Sequence, residues 1–396
     1  MTSALYAWEP YIQAFVELSD VPVTKPSIRP GPLAGLTVGV KDIIDVAGLP
    51  TRNGSAVCAD AMPAEHDAVV VERLRAAGAQ IVGKTTTTEF AFTDPTPCHN
   101  PHDLSRSPGG SSSGSGAAVG AGVVDIALGT QTAGSLIRPA AYCGAVGFKP
   151  SAGLFPMGGV TPLARSFDTV GIIARDVSLG QRAARVLAPA ATMGALNAPR
   201  VACGLWDTKA EVSPDWLQAL DDARGALGTL SGVTEIVLPA DVGSVVSAHR
   251  CVMCAEAFAA HHALLDDKAQ MLKPNFRAGM EAGRDLDKTT LSEARTLLTG
   301  ARTAFWDAMR GTDLILTLPV PDGAPLIDGT TGFQDWLTPW TVFGGPLVCL
   351  PWGIDTLLRP RSVMLAAHPG QDLFLLEMAA RLEHHAPRLS APRLPR

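Results

Sequence analysis

The chain has 396 residues, 46% hydrophobic and 18% charged, with 39 Gly and 31 Pro. So much apolar content at so low a charge excludes an intrinsically disordered chain, and the length allows two or three domains of ordinary size. The formal net charge is −6 and no run of basic residues forms a phosphate-tracking stripe, which argues against a nucleic-acid partner.

Residues 1–20 lack a cationic start and a continuous apolar segment, and they carry Glu9, Glu17 and Asp20, so they do not read as a signal peptide. The first periodic elements are a strand at Leu36–Val40, a helix at Asp67–Ala77 with Val70, Leu74 and Ala77 on one face, and a strand at Gln80–Val82. This is a βαβ rhythm. Further strands are expected at Val124–Leu128, Val146–Phe148, Gly171–Ala174, Arg200–Leu205, Thr234–Leu238, Leu314–Leu318, Leu347–Leu350 and Ser362–Ala366, and helices at Trp216–Leu227, Leu291–Met309 and Leu373–His384. Strands interleaved with helices along the whole length predict an α/β fold, with a mixed or parallel sheet covered on both faces.

Residues 263–300 are polar at helical spacing and read as solvated outer helices. No stretch of about 18 uninterrupted apolar residues occurs, so no membrane span is expected. The seven cysteines are odd in number and scattered, which fits reduced thiols in the cytoplasm. The pair Cys251 and Cys254 lies in an Ala-rich helical stretch without a second pair at zinc spacing, so packing is the better reading. His99, His102, His261 and His262 also lack metal spacing, and no metal or cofactor is expected.

The tract at 105–122 is almost entirely Gly, Ser and Ala, the composition of a flexible linker. Its second half is small and apolar, however, as a tightly packed core helix would be. A P-loop is ruled out because Ser115 stands where the lysine belongs, and a dinucleotide fingerprint fails on glycine spacing. Gly110-Ser111-Ser112-Ser113-Gly114 matches the Gly-x-Ser-x-Gly elbow of α/β-hydrolases with Ser112 at its centre, but the segment before it is a poor strand ending in Pro108. Neither Ser-x-x-Lys nor His-Glu-x-x-His is present.

Three segments taken together read better: Gly39-Val40-Lys41-Asp42, Ser107-Pro108-Gly109-Gly110-Ser111-Ser112-Ser113-Gly114, and Gly129-Thr130-Gln131-Thr132-Ala133-Gly134-Ser135-Leu136-Ile137-Arg138-Pro139. They resemble the amidase signature family, and the likeness continues through Ala141–Pro150 and Ser166–Gly171. It is strong over about residues 31–175 and weaker over 310–385, with a more variable helical region at about 210–310 between them. Small stand-alone bacterial-type amidases, such as malonamidase-like enzymes, are the nearest in pattern. The resemblance implies one amidase-signature domain over residues 1–396.

It also implies a Ser–Ser–Lys triad: Ser135 as nucleophile, Ser111 as a bridging serine preceded by a cis peptide, and Lys41 as base. The chemistry explains these residue types. A serine hydroxyl needs an adjacent base to attack at neutral pH, and a lysine serves as that base only when desolvation lowers its pKa. Taken singly, Lys41 could equally be a surface lysine after a strand. The resemblance assigns an oxyanion hole to the backbone amides of Thr132, Ala133 and Gly134, with Ala133 where many members have Gly and Gln131 where many have Asp. Arg138, three residues after Ser135 and the one charged residue close to the expected reaction centre, is a substrate-binding candidate together with Gln131 and Gly110.

Arg138 either clamps a substrate carboxylate or braces the loop by donating to carbonyls. Asp168 reads as a supporting or helix-capping residue. The expected reaction is hydrolysis of a small-molecule amide through a Ser135 acyl-enzyme, and an amide bearing a carboxylate is the preferred candidate. Alternatives are the amidase subunit of a glutamine amidotransferase complex, an esterase using Ser112, and a catalytically silent binding protein. The partners implied are a small-molecule amide and, as an open alternative, a second copy of the chain, with neither nucleic acid nor membrane.

Overall fold

A computed structural model describes residues 3–19, 31–191, 199–229 and 231–395. Its strands are β1 (Phe15–Leu18), β2 (Thr37–Lys41), β3 (Gln80–Thr85), β4 (Ile126–Gln131), β5 (Val146–Lys149), β6 (Thr169–Ala174), β7 (Val201–Trp206), β8 (Val233–Leu238), β9 (Leu314–Thr317), β10 (Leu347–Ile354) and β11 (Pro360–Ala366). They form one 11-stranded sheet in the order β1-β3-β2-β4-β6-β5-β10-β11-β9-β7-β8. The sheet is mixed: β2 is parallel to β3 and β4, and β7 to β8 and β9, while the remaining neighbours run antiparallel.

This agrees with the α/β fold expected from the alternation of elements. Strands from both ends of the chain share the sheet, so it does not divide into separate domains. Strands β4, β5 and β6 are buried along their whole length, as near-continuous apolar runs covered on both faces should be. Helices Val69–Ala76, Val177–Leu187, Asp372–Glu383 and Pro214–Gly228 pack in succession against one another.

Helix Ser3–Ile12 and strand β1 were not expected from sequence, whereas the Ala-rich helical stretch around Cys251 and Cys254 belongs to helix Val242–Lys268. Helix Ser3–Ile12 leads into β1, and the Glu9 carboxylate accepts the N–H groups of Ala14 and Phe15 where the chain turns. Helix Val242–Lys268 runs for 27 residues behind an Asp241 cap, and its Ala-rich sequence shows little helical periodicity. It packs with helices Pro274–Asp285 and Lys288–Ala308, whose outer faces are solvated and whose inner faces bury Phe276, Met280, Leu298 and Phe305. Cys254 is buried and Cys251 half-buried in this bundle.

The Gly/Ser tract is ordered. Residues Ser113–Gly120 form a helix with seven buried positions. It needs glycine for close approach: a Cβ on Gly114 would stand 2.1 Å from the Ala14 carbonyl oxygen, and one on Gly116 2.9 Å from Pro139. The linker reading is thereby overturned, because these small residues let the helix sit against the backbone of its neighbours.

Among the described residues no helix is long and apolar enough to cross a membrane. None of their His, Cys, Asp and Glu groups is arranged to hold a metal ion.

Candidate active site

Strand β2, third from one edge of the sheet and flanked by β3 and β4, ends in Lys41. Successive side chains on a strand point to opposite faces, so Lys41 and Asp42 diverge. Asp42 pairs with Lys84 Nζ at 3.0 Å, a buried ion pair further held by Thr51 Oγ1. Lys41 is left without a carboxylate in ion-pair range among the described residues. Its Nζ lies 2.6 Å from Ser111 Oγ and 2.8 Å from Thr130 Oγ1, with the lysine fully buried. Burial holds its pKa well below the ordinary lysine value, and the more distant Asp168 opposes this only in part.

Ser111 sits in the turn before helix Ser113–Gly120, and the Gly110–Ser111 peptide is cis. The next residue ties this turn to the segment after β4, because Ser112 N–H donates to the Ser135 carbonyl at 3.1 Å. Ser135 is 6% exposed, and its hydroxyl is neither hydrogen-bonded among the described residues nor sealed from solvent. The Ser112 hydroxyl is fully buried and engaged with both the N–H and the carbonyl of Thr130. The Gly-x-Ser-x-Gly match is therefore corrected: Ser112 locks strand to turn and is out of reach of any acyl group.

Between Gln131 and Ser135 the chain makes a turn whose carbonyls all face protein donors. Thr132 C=O accepts from His249 Nε2 at 2.8 Å, Ala133 C=O from Thr341 Oγ1 at 2.5 Å, and Gly134 C=O from Arg138 N–H at 3.1 Å. In a trans peptide the C=O and the following N–H point opposite ways. The N–H groups of Ala133, Gly134 and Ser135 are thus turned away from these anchors, and none has an acceptor among the described residues. Ala133 is outside the left-handed region and so replaces glycine without backbone cost. Gly134 lies against Leu337, where a Cβ would come within 2.9 Å.

The remaining predicted site residues brace this arrangement. Gln131 Oε1 accepts the Leu136 and Ile137 N–H groups at the start of helix Ile137–Tyr142, and its Nε2 donates to Thr341. Asp168 accepts from Thr132 Oγ1 and from the N–H groups of Leu163 and Ala164. Arg138 is 1% exposed and donates to the carbonyls of Gly110 and Gly332, to Thr331 Oγ1 and to Gln334 Oε1. Those are the partners of a brace, joining the cis turn to the 331–334 loop. Burial lowers its pKa to about 10.

A cavity of about 440 Å³ is lined by His249, whose ring reaches the Thr132 carbonyl, but by none of residues 131–135. Gln334, Thr338, Arg250, Asn275 and Asp335 also line it. Arg250 and Asp335 form no ion pair among the described residues.

Sequence reasoning missed Thr130, Thr341 and His249. Thr130 carried a signal, a hydroxyl at the end of the strand beside the lysine strand. His249 carried none, since it lies 117 residues from the carbonyl it holds.

Fold and site together define an α/β protein with a buried lysine–hydroxyl network beside an anchored turn of small residues. Its identity follows from comparison: the family model described as Amidase matches residues 23–376, and the chain belongs to the amidase family. It is 51% identical over 155 residues to the glutamyl-tRNA(Gln) amidotransferase A-subunit of Anaeromyxobacter sp. (strain K), covering 38% of this chain and 31% of that protein. The corresponding protein of Carboxydothermus hydrogenoformans is 42% identical over 188 residues, 43% of this chain and 38% of that protein. The match thus spans about a third of the length of these curated relatives. Among solved structures, an amidase superposes with a TM-score of 0.82 at 28% identity, covering 97% of this chain and 95% of that one. A chain from a vestigial protein complex, described as revealing the evolutionary origins of an s-triazine catabolic enzyme, superposes with a TM-score of 0.87 at 25% identity, covering 98% and 94%.

Proposed function

We propose that the protein hydrolyses the C–N bond of a small amide through an acyl-enzyme on Ser135, with Lys41 as base and Ser111 between them. The observation that carries this reading is the 2.6 Å contact between the Ser111 hydroxyl and a fully buried lysine that has no carboxylate in ion-pair range among the described residues. With Lys41 neutral, Nζ–H donates to Thr130 Oγ1 and the Nζ lone pair receives the Ser111 proton. Ser111 takes the proton of Ser135 as that oxygen attacks the amide carbon. In place of the Thr132, Ala133 and Gly134 amides that the resemblance implies, the N–H groups of Ala133, Gly134 and Ser135 receive the developing oxyanion. The proton returns through Ser111 to the leaving nitrogen, and water releases the acid by the same relay.

The cavity lined by His249 and Arg250 is of small-molecule size. Because Arg138 is consumed by internal acceptors, Arg250 is the guanidinium better placed to meet a substrate carboxylate. The seven free cysteines favour a reducing, cytoplasmic setting.

The test is intact-mass analysis after a fluorophosphonate probe, paired with ammonia release from a panel of amides by the purified chain. Labelling at Ser135 is expected, with S135A unlabelled and its turnover lower by about 10³-fold or more. Full activity in S135A would overturn the assignment. A second reading, the amidase subunit of an amidotransferase, draws on the 51% identity to such subunits over 155 residues. It predicts release of ammonia from glutamine only when partner subunits are added.

A further inference from the structure

His249 stands outside every motif of the site, on helix Val242–Lys268, yet touches its centre. The side chain is buried, its ring lies 4.3 Å from that of Phe167, and its Nε2 is 2.8 Å from the Thr132 carbonyl oxygen. A carbonyl only accepts, so Nε2 carries the hydrogen and the ring is the Nε2–H tautomer or the imidazolium. Burial pulls its pKa down to about 4, which keeps it neutral over the working range.

We infer that His249 is a positioning residue for the oxyanion site: by holding the Thr132 carbonyl it fixes the peptide plane that aims the Ala133 N–H at the reacting oxygen. This rests on the proposed role of the turn. The three peptides of the turn are each gripped at the carbonyl, but by different means. Gly134 is held by the local backbone N–H of Arg138, and Ala133 by Thr341, which Gln131 also supports. Thr132 has no comparable local donor at its carbonyl among the described residues, and its hydroxyl is committed to Asp168. The peptide between Thr132 and Ala133 therefore depends on a distant helix. An N–H whose own carbonyl accepts a hydrogen bond is also the more polarised donor, so loss of His249 weakens that N–H as well as freeing its orientation. Such losses appear in the transition state, where the oxygen is charged, and little in the ground state.

The variants are H249F, which keeps a ring against Phe167 without the donor, and H249Q, whose amide N–H reaches about as far as Nε2. Each is assayed for fluorophosphonate inactivation, separated into binding and phosphonylation rate, and for kcat and KM on the amide the wild type turns over fastest. The expected result for H249F is a phosphonylation rate and a kcat each lower by about 10- to 100-fold, with KM and probe binding within about twofold. H249Q is expected to recover most of the loss. Unchanged rates in H249F would overturn the inference, as would equal loss in H249F and H249Q when both melt at the wild-type temperature. If H249F alone fails to fold, a wild-type KM with lowered kcat in H249A still supports it, and a wild-type kcat there overturns it. S135A run alongside separates the two claims: turnover in S135A sinks the parent reading, whereas a silent S135A with a fully active H249F sinks only the role of His249.

Discussion

Lys41 Nζ and Ser111 Oγ stand 2.6 Å apart between the end of β2 and the turn before helix Ser113–Gly120, both side chains fully buried. Desolvation pushes the pKa of a lysine in that position well below its ordinary value, and the ion pair next to it is already complete between Asp42 and Lys84. The proposed relay requires the neutral form. Amide hydrolysis should therefore rise with pH as Lys41 loses its proton, giving a basic limb in kcat/KM. K41M should remove the activity, and an activity greatest in acid with no rise toward neutral pH would contradict a lysine base.

Thr130 holds the other side of the same nitrogen at 2.8 Å. T130V keeps the shape and removes the acceptor, leaving Nζ free to rotate away from Ser111. Turnover is expected to fall about 10- to 100-fold, the size of a positioned proton-transfer contribution, with KM nearly unchanged. Initial rates on one amide at several concentrations measure both.

The two arginines near the site should separate cleanly. R138M leaves the acceptors of Gly110, Thr331, Gly332 and Gln334 without their donor. It is expected to lower stability by about 3 kcal/mol or more and to reduce activity on neutral and carboxylate-bearing amides alike. R250M changes an exposed cavity residue, and should raise KM for carboxylate-bearing amides while sparing neutral ones. Urea melts and paired substrate kinetics distinguish these outcomes.

S112A tests the serine that resembled a hydrolase nucleophile. Removing a hydroxyl bonded to both backbone groups of Thr130 should cost about 1–2 kcal/mol in a denaturant melt. Fluorophosphonate labelling should persist on Ser135.

Another buried amine provides a stability test away from the chemistry. Lys149 Nζ donates to the carbonyls of Pro150 and Gly345, and burial lowers its pKa to about 7. Between that value and the unfolded lysine range near about 10.4, the unfolded chain binds more protons than the native one. Stability contributed at this site therefore increases as pH rises through the window. K149M should flatten that rise while lowering stability overall, because two buried carbonyls lose their donor. Urea melts at several pH values spanning about 7 to 10 provide the measurement.

Local sequence was informative where structure is local. Apolar runs marked ten of the eleven strands, because a strand buried on both faces must be apolar whatever its partners. The resemblance of three segments to the amidase signature family singled out Lys41, Ser111 and Ser135, and the small residues from Thr132 to Ser135 marked a turn. What the chain could not disclose by itself was which distant groups meet there. Only the folded sheet, with β2 beside β4, brings Thr130 to Lys41. Only the packing of a helix without clear periodicity brings His249 to Thr132. The open question about Arg138 was likewise a tertiary one: a guanidinium seeks acceptors of either kind, and the 331–334 loop, 193 to 196 residues downstream, supplies them. Composition and periodicity determine which residues are buried, whereas the partners of a buried polar group depend on the route of the chain through space.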